Sequence, residues 1–170
     1  MDGIDARGYA WGVLPFTTMD GFVDASYAGD VDTRRSTTGN MFKISGGPVS
    51  WQNRLQSSVG LSSMEAKYMA ASAVTQEAMW LNRLLQQLGF KTPRPTKIYE
   101  DNKAAILFSD HPGDHRRSKH IDTVLHGDII LEYIPTAEQL ADGLTKPLTG
   151  AQHQVICLDN YLSKFKFQSA

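Results

Sequence analysis

The sequence predicts one mixed α/β domain, and three observations carry that expectation. Residues 19–61 read as three short strands in succession. A long amphipathic helix with end signals on both sides comes next. Beyond it, short strands and helices alternate to Pro147, the order of a mixed sheet flanked by helices. The 170 residues suit a single domain that buries its core without disulfides or a structural metal.

Residues 1–18 hold Tyr9, Trp11, Leu14 and Phe16 but no clear period, and they are left unassigned. Gly21-Phe22-Val23-Asp24-Ala25 reads as the first strand and Asn40-Met41-Phe42-Lys43-Ile44-Ser45 as the second, with Gly46-Gly47-Pro48 as a turn. Val49, Trp51, Leu55, Val59 and Leu61 then fall on alternate positions, interrupted by Asn53 and Ser57, as expected of a strand with one buried face. The three strands suggest an antiparallel meander.

The helix that follows opens on Ser62-Ser63-Met64-Glu65, the spacing of a capping box. Met64, Tyr68, Ala71, Ala78, Leu81, Leu85 and Leu88 mark its apolar face, and Gly89 stands where a C-terminal cap glycine belongs. Trp51 and Trp80, each inside an amphipathic element, are expected in the core. Thr96–Glu100 reads as a strand, with Asp101-Asn102 capping a helix over Lys103–Ser109. Residues 129–134 form the last strand, ended by Pro135. Thr136-Ala137-Glu138-Gln139 is a second capping box, opening a helix that Pro147 stops.

Composition narrows the function classes. Apolar and charged contents of 41% and 21% fit an ordinary globular chain. The single cysteine, Cys157, cannot make an internal disulfide, and no Cys/His cluster has zinc spacing, so an intracellular, reducing setting is the default. There is no apolar run of membrane-spanning length and no signal-peptide pattern. A net charge of −1 requires any nucleic-acid binding to use local basic patches or bound cations. Arg116, Arg117, Lys119 and His120 form the densest positive run, with Arg34-Arg35 and Arg54 as weaker helpers. Such runs are usually solvated loops, but a neutral nucleic-acid binder needs a patch of this kind.

Four acids fall at the ends of these elements: Asp24, Glu65, Asp101 and Asp142. Strand ends and helix starts along one sheet edge converge on a shared cleft, and gathered carboxylates there call for cations. Magnesium suits such all-oxygen sites. Taken singly, each acid has an ordinary explanation. Glu65 completes a capping box, Asp101 caps a helix, Asp24 serves a turn, and Asp142 pairs with Lys146 one helical turn on or faces water. Asn102 is divided evenly between closing an Asx turn and touching a sugar or phosphate.

Seven ordered strings decide between these readings. Phe22-Val23-Asp24-Ala25-Ser26-Tyr27-Ala28-Gly29-Asp30, Arg35-Ser36-Thr37-Thr38-Gly39, Gly47-Pro48-Val49-Ser50-Trp51, the stretch from Leu61 to Ala70, Asp101-Asn102, Ser118-Lys119-His120-Ile121-Asp122, and the stretch from Leu140 to Pro147 resemble the ribonuclease H domain of copia-type LTR retrotransposon Pol polyproteins. The resemblance covers residues 19–148. It implies a ribonuclease H-like fold, a five-stranded mixed sheet flanked by helices. It also implies a nuclease that cuts the RNA strand of RNA–DNA hybrids using two Mg2+ ions, which Mn2+ can replace, with Asp24, Glu65, Asp101 and Asp142 as the metal-binding, catalytic acids. Asn102, Arg116, Arg117, Lys119 and His120 would contact the hybrid.

In the family this domain follows a reverse transcriptase and works inside the cell, in a cytoplasmic virus-like particle or the nucleus. Against the family pattern, about ten residues are missing after Asp122, two or three helical turns at 1.5 Å per residue, which should cost stability. Residues 1–18 do not resemble reverse transcriptase, residues 149–170 form an unexplained tail, and an isolated fragment or degenerate copy is expected. The competing reading is therefore an inactive remnant that at most binds nucleic acid. A transposase or integrase domain is disfavoured because the glutamate comes second among the acids, on the first long helix.

Overall fold

The computed structural model describes residues 3–4, 10–11, 17–110 and 127–150. Within the N-terminal segment, Gly3–Ile4 (β1) pairs antiparallel with Ala10–Trp11 (β2). The main sheet comprises Met19–Ser26 (β3), Thr37–Ile44 (β4), Gly47–Leu55 (β5), Thr96–Glu100 (β6) and Ile129–Tyr133 (β7), in the order β5-β4-β3-β6-β7. The first three form the antiparallel meander, while β6 lies parallel to β3 and β7 parallel to β6. This is the five-stranded mixed sheet that the family resemblance implies.

The β4–β5 turn is a two-residue hairpin in which Ser45 and Gly46 both have positive φ, 50° and 83°. Both central residues of a type I′ turn adopt that conformation, which matches the strand twist and favours glycine at the second position. Pro48 is tolerated because β5 is an edge strand, and it sits beside a register shift at Phe42/Lys43.

The helix Ser63–Gln87 (α1) packs across one sheet face. Ser62 caps it by accepting from the Glu65 amide. At its end the Phe90 and Gly89 amides return to Leu85 and Gln86 carbonyls, a Schellman closure with Gly89 at φ 86°. Ala66, Ala70, Ala71, Val74, Ala78, Leu81 and Leu85 meet Val23, Ala25, Phe42, Ile98 and Leu131 in the principal core. A smaller cluster of Phe22, Met41, Leu140 and Ala141 fills part of the opposite face. Lys103–Asp110 (α2) packs on α1, and Asp142–Thr145 (α3) lies against β3, β4 and β5. No helix among the described residues is long and apolar enough to cross a membrane.

Several expectations are corrected. Trp51 is 62% exposed and Trp80 59% exposed, so neither is core. Trp80 projects from the outer side of α1, two residues beyond buried Ala78. Trp51 lies on the edge strand, opposite Met41 and facing away from α1. Val49 is likewise exposed, because the side of β5 nearer α1 carries the polar Ser50, Gln52 and Arg54. The expected strand through Val59 and Leu61 stops at Leu55, and those two residues are exposed in the loop before α1. Leu88 is exposed beyond the end of the buried stripe. The second capping box does not form. Thr136–Glu138 is a single 3-10 turn without a side-chain cap, and the helix beyond it begins only at Asp142.

Candidate active site

The parallel pair β3–β6 is hydrogen-bonded in register only from Asp20–Phe22 against Lys97–Tyr99. Past that point the two strands part, and their carboxyl ends open the kind of crevice in which α/β sheets place ligands. Gln139 fills the fork. Its Nε2 donates to Val23 O at 3.0 Å and Tyr99 O at 3.2 Å, and its Oε1 accepts from the Ala141 amide at 3.2 Å. The side chain that spans both diverging strands therefore also fixes the start of α3.

Three of the four expected acids converge here. Asp24 on β3, Asp101 just after β6 and Asp142 opening α3 each place one carboxylate oxygen within 4.8 Å of the others. Asp24 is fully buried and Asp142 nearly so. Glu65 is not in this group. Its Oε2 accepts from the Leu61 amide at 2.7 Å, while its own amide donates to Ser62 Oγ, so the capping role is the one that this geometry displays. Asn102 likewise caps α2 through Oδ1, which accepts from Ala105 N at 3.0 Å. Arg116, Arg117, Lys119 and His120 lie outside the described residues, as does the shortened stretch after Asp122.

Residues beyond the expected set complete the cluster. Lys67 donates to Asp24 Oδ1 at 2.6 Å, to Glu100 Oε1 at 3.3 Å and to Asp101 Oδ1. Lys146 lies 2.9 Å from Asp142 Oδ1, the pairing anticipated for Asp142, and 3.2 Å from Asp24 Oδ2. Thr145 donates to Asp24 Oδ2, and Thr136 Oγ1 to Asp101 Oδ2 at 2.7 Å. Two of these participants left a trace in the sequence. Lys67 stands four, seven and eleven residues before Ala71, Val74 and Ala78, on the stripe that faces the sheet, where a lysine requires buried partners. Glu100 continues the alternation of buried Thr96 and Ile98 and so points a carboxylate inward.

The electrostatics follow from burial and counter-charge. Burial would raise the Asp24 carboxyl, but the Lys67 ammonium and the hydrogen bonds from Lys67 and Thr145 bring it down to about 2. For Asp101, burial is likewise outweighed by Lys67 and Thr136, and its carboxyl lies below the usual range. Burial dominates at Asp142 and raises it, against the hydrogen bond to Lys146. Glu100, with no exposed surface, is pushed by burial up to about 8 despite Lys67, and its Oε2 has no hydrogen-bond partner. Lys67 is held well above its ordinary value by Glu100 and Asp24, although burial acts the other way.

The donor set is all oxygen, drawn from carboxylates that already attract two ammonium groups, and a buried Glu100 oxygen lacks a donor. Hard divalent cations such as magnesium fit that chemistry. A separate cavity of about 240 Å³ lies between β5 and α1, lined by Thr38, Arg54, Gln56, Ser58 and Met69 among others, away from the carboxylates.

No family model matches the chain. It is 43% identical over 136 residues to the retrovirus-related Pol polyprotein from transposon TNT 1-94 of Nicotiana tabacum, covering 75% of this chain and 10% of that protein. It is 35% identical over 155 residues to the corresponding polyprotein from transposon RE1 of Arabidopsis thaliana, covering 86% and 10%. The chain thus spans about a tenth of the length of these relatives. Among solved structures, the N-terminal RNase H domain of Rv2228c from Mycobacterium tuberculosis aligns with a TM-score of 0.55 at 14% identity, covering 82% of this chain and 98% of that one. LC11-RNase H1, solved in complex with an RNA/DNA hybrid, aligns at 0.54 with 10% identity, covering 75% and 93%.

Proposed function

Because the chain belongs to the ribonuclease H domains of copia-type retrotransposon Pol polyproteins, we propose that it hydrolyses the RNA strand of RNA–DNA hybrids. The observation that carries this reading is the meeting of Asp24, Asp101 and Asp142, from three distant segments, at the fork between β3 and β6. Two magnesium ions, replaceable by manganese, would supply there the Lewis acidity that activates water and neutralises the scissile phosphate.

Asp24, Asp101 and Asp142 would hold these ions, and Glu65 would complete the set only if its carboxylate gave up the Leu61 amide. The two oxygens of Asp24 face different neighbours, Lys67 on one side and Thr145 with Lys146 on the other, so both would be available as acceptors for cations. Thr136 and Thr145 fix the orientations of Asp101 and Asp24 through their hydroxyls. No serine or cysteine nucleophile is required. RNA is selected through the 2′-hydroxyls that an A-like hybrid exposes in its shallow groove. Asn102, Arg116, Arg117, Lys119 and His120 contact the hybrid backbone. In the longer polyprotein the domain follows a reverse transcriptase and acts inside the cell, in a cytoplasmic particle or the nucleus.

One observation favours the second reading, a degenerate copy that at most binds nucleic acid: Glu65 is engaged in its cap and stands apart from the other three acids. Cleavage of a labelled hybrid, measured with magnesium and with EDTA, separates the two. The wild-type chain is expected to cut only with magnesium, and Asp24→Asn not at all. Cleavage that persists in Asp24→Asn removes the carboxylate mechanism, whereas hybrid binding by a wild-type chain that never cuts selects the remnant.

A further inference from the structure

Lys67 is a cation that the chain itself places among the acids. Its Nζ holds Asp24 Oδ1 at 2.6 Å together with Asp101 Oδ1, and its side chain is only 12% exposed. Lys146, by contrast, sits at the rim with 41% exposure and can leave Asp24 and Asp142 for water. Resting on the proposed function, we infer that Lys67 is a built-in competitor for the divalent ion, which must leave the space between Asp24 and Asp101 and retreat onto Glu100 before the ion can use those oxygens.

Lys67 and a divalent ion would share the same carboxylate lone pairs and repel each other as like charges. The oxygens nearest Nζ are those a cation between Asp24 and Asp101 would use, and a divalent ion there would face a positive nitrogen across a few ångströms. Retreat to open water is hindered, because Lys67 emerges from the sheet-facing stripe of α1. Glu100 offers the alternative seat. Its Oε1 already lies 3.3 Å from Nζ, and its Oε2 is buried with no hydrogen-bond partner. An ammonium drawn toward Glu100 gains an acceptor as it gives up two. The apparent affinity for metal is then the intrinsic affinity reduced by the fraction of molecules in which Lys67 has withdrawn.

The test is Mn2+ binding to the full 170-residue chain, followed by electron paramagnetic resonance of the free ion. Lys67→Met removes the competitor and should tighten binding by on the order of tenfold, the gain when a state populated about one time in ten becomes the only one. Glu100→Gln removes the retreat and should weaken binding in the wild-type background. In the Lys67→Met background the same substitution should change binding less than about twofold. If Glu100 merely added negative charge, it would matter equally in both backgrounds, and that result overturns the inference. Lys67→Gln, uncharged yet able to donate to Asp24, carries the same expectations should Lys67→Met fail to fold. Equal Mn2+ affinity in wild type and the Lys67 variants also rejects the competitor while leaving the proposed function standing. Absence of Mn2+ binding in every form sinks both.

Discussion

Gly39 and Thr145 approach so closely that a Cβ on Gly39 would lie 2.6 Å from Thr145 Cγ2, and 3.0 Å from both Ala141 O and Leu144 Cβ. Gly39 is the residue directly opposite Asp24 in the β3–β4 ladder. The missing side chain is thus what lets α3 seat against the sheet and bring Thr145 to Asp24. Gly39→Ala should destabilise the domain by about 1–3 kcal/mol, the usual range for overpacking. It should also reduce hybrid cleavage, because Thr145 and Asp142 move together. A variant with the wild-type melting temperature and cleavage rate shows that the close seat of α3 does not position these acids.

Gln139 is the second support. Replacing it by Ala leaves the Val23 and Tyr99 carbonyls without its amide and the Ala141 amide without its acceptor. Each buried group left unpaired costs about 1–3 kcal/mol. Gln139→Glu keeps the acceptor but, ionised, offers no donor, and should fall in thermal stability at least as far as Gln139→Ala. A melting temperature unchanged in either variant would show that the fork closes without it.

Glu65 has two roles to separate. Ser62→Ala removes the cap of α1 and should cost about 1 kcal/mol. Glu65→Gln preserves an acceptor for the Leu61 amide, since glutamine serves in a capping box, and stability should stay within about 0.5 kcal/mol of wild type. If the carboxylate joins the other three when metal binds, Glu65→Gln should still lower cleavage by on the order of 10–100-fold, the loss typical when support for a metal site is removed. Full cleavage at full stability assigns Glu65 to the cap alone.

The parts that were legible in the sequence are those governed by short-range periodicity. The meander, the start and stop of α1, and the strand Thr96–Glu100 follow from alternation, helical spacing and cap residues, all local signals. Where long-range packing decides, the pattern misled. Trp51 alternates correctly with its neighbours, but an edge strand offers it no covering helix among the described residues, and alternation cannot identify an edge. Thr136 and Gln139 have the spacing of a capping box, yet both side chains are drawn to more demanding partners, Asp101 and the forked strands. All four acids are singled out by family likeness rather than by pattern, and the structure brings three of them, Asp24, Asp101 and Asp142, together. Lys67 falls inside the Leu61–Ala70 string and Glu100 at the end of the strand Thr96–Glu100, and neither the string nor the strand signal by itself marks a charge on a core-facing stripe.

Glu100 gives the folded state a dependence on pH whose sign can be worked out. Burial pushes its carboxyl from an ordinary 4.5 up to about 8. Between those values the folded chain binds the proton more tightly than the unfolded chain does, so this contribution to stability is complete below 4.5 and is lost as pH rises through 8. Asp24 acts in the opposite sense: lowered from 3.8 to about 2, it stabilises above 3.8 and loses that contribution as pH falls through 2. In EDTA, wild type should therefore be more stable to urea near pH 5 than near pH 8 by more than Glu100→Gln is, because the glutamine cannot ionise. Comparing the two proteins at each pH cancels histidines and surface groups common to both. Identical pH profiles for wild type and Glu100→Gln would mean that the buried carboxylate is fully neutralised by Lys67 throughout, and that burial does not govern its protonation.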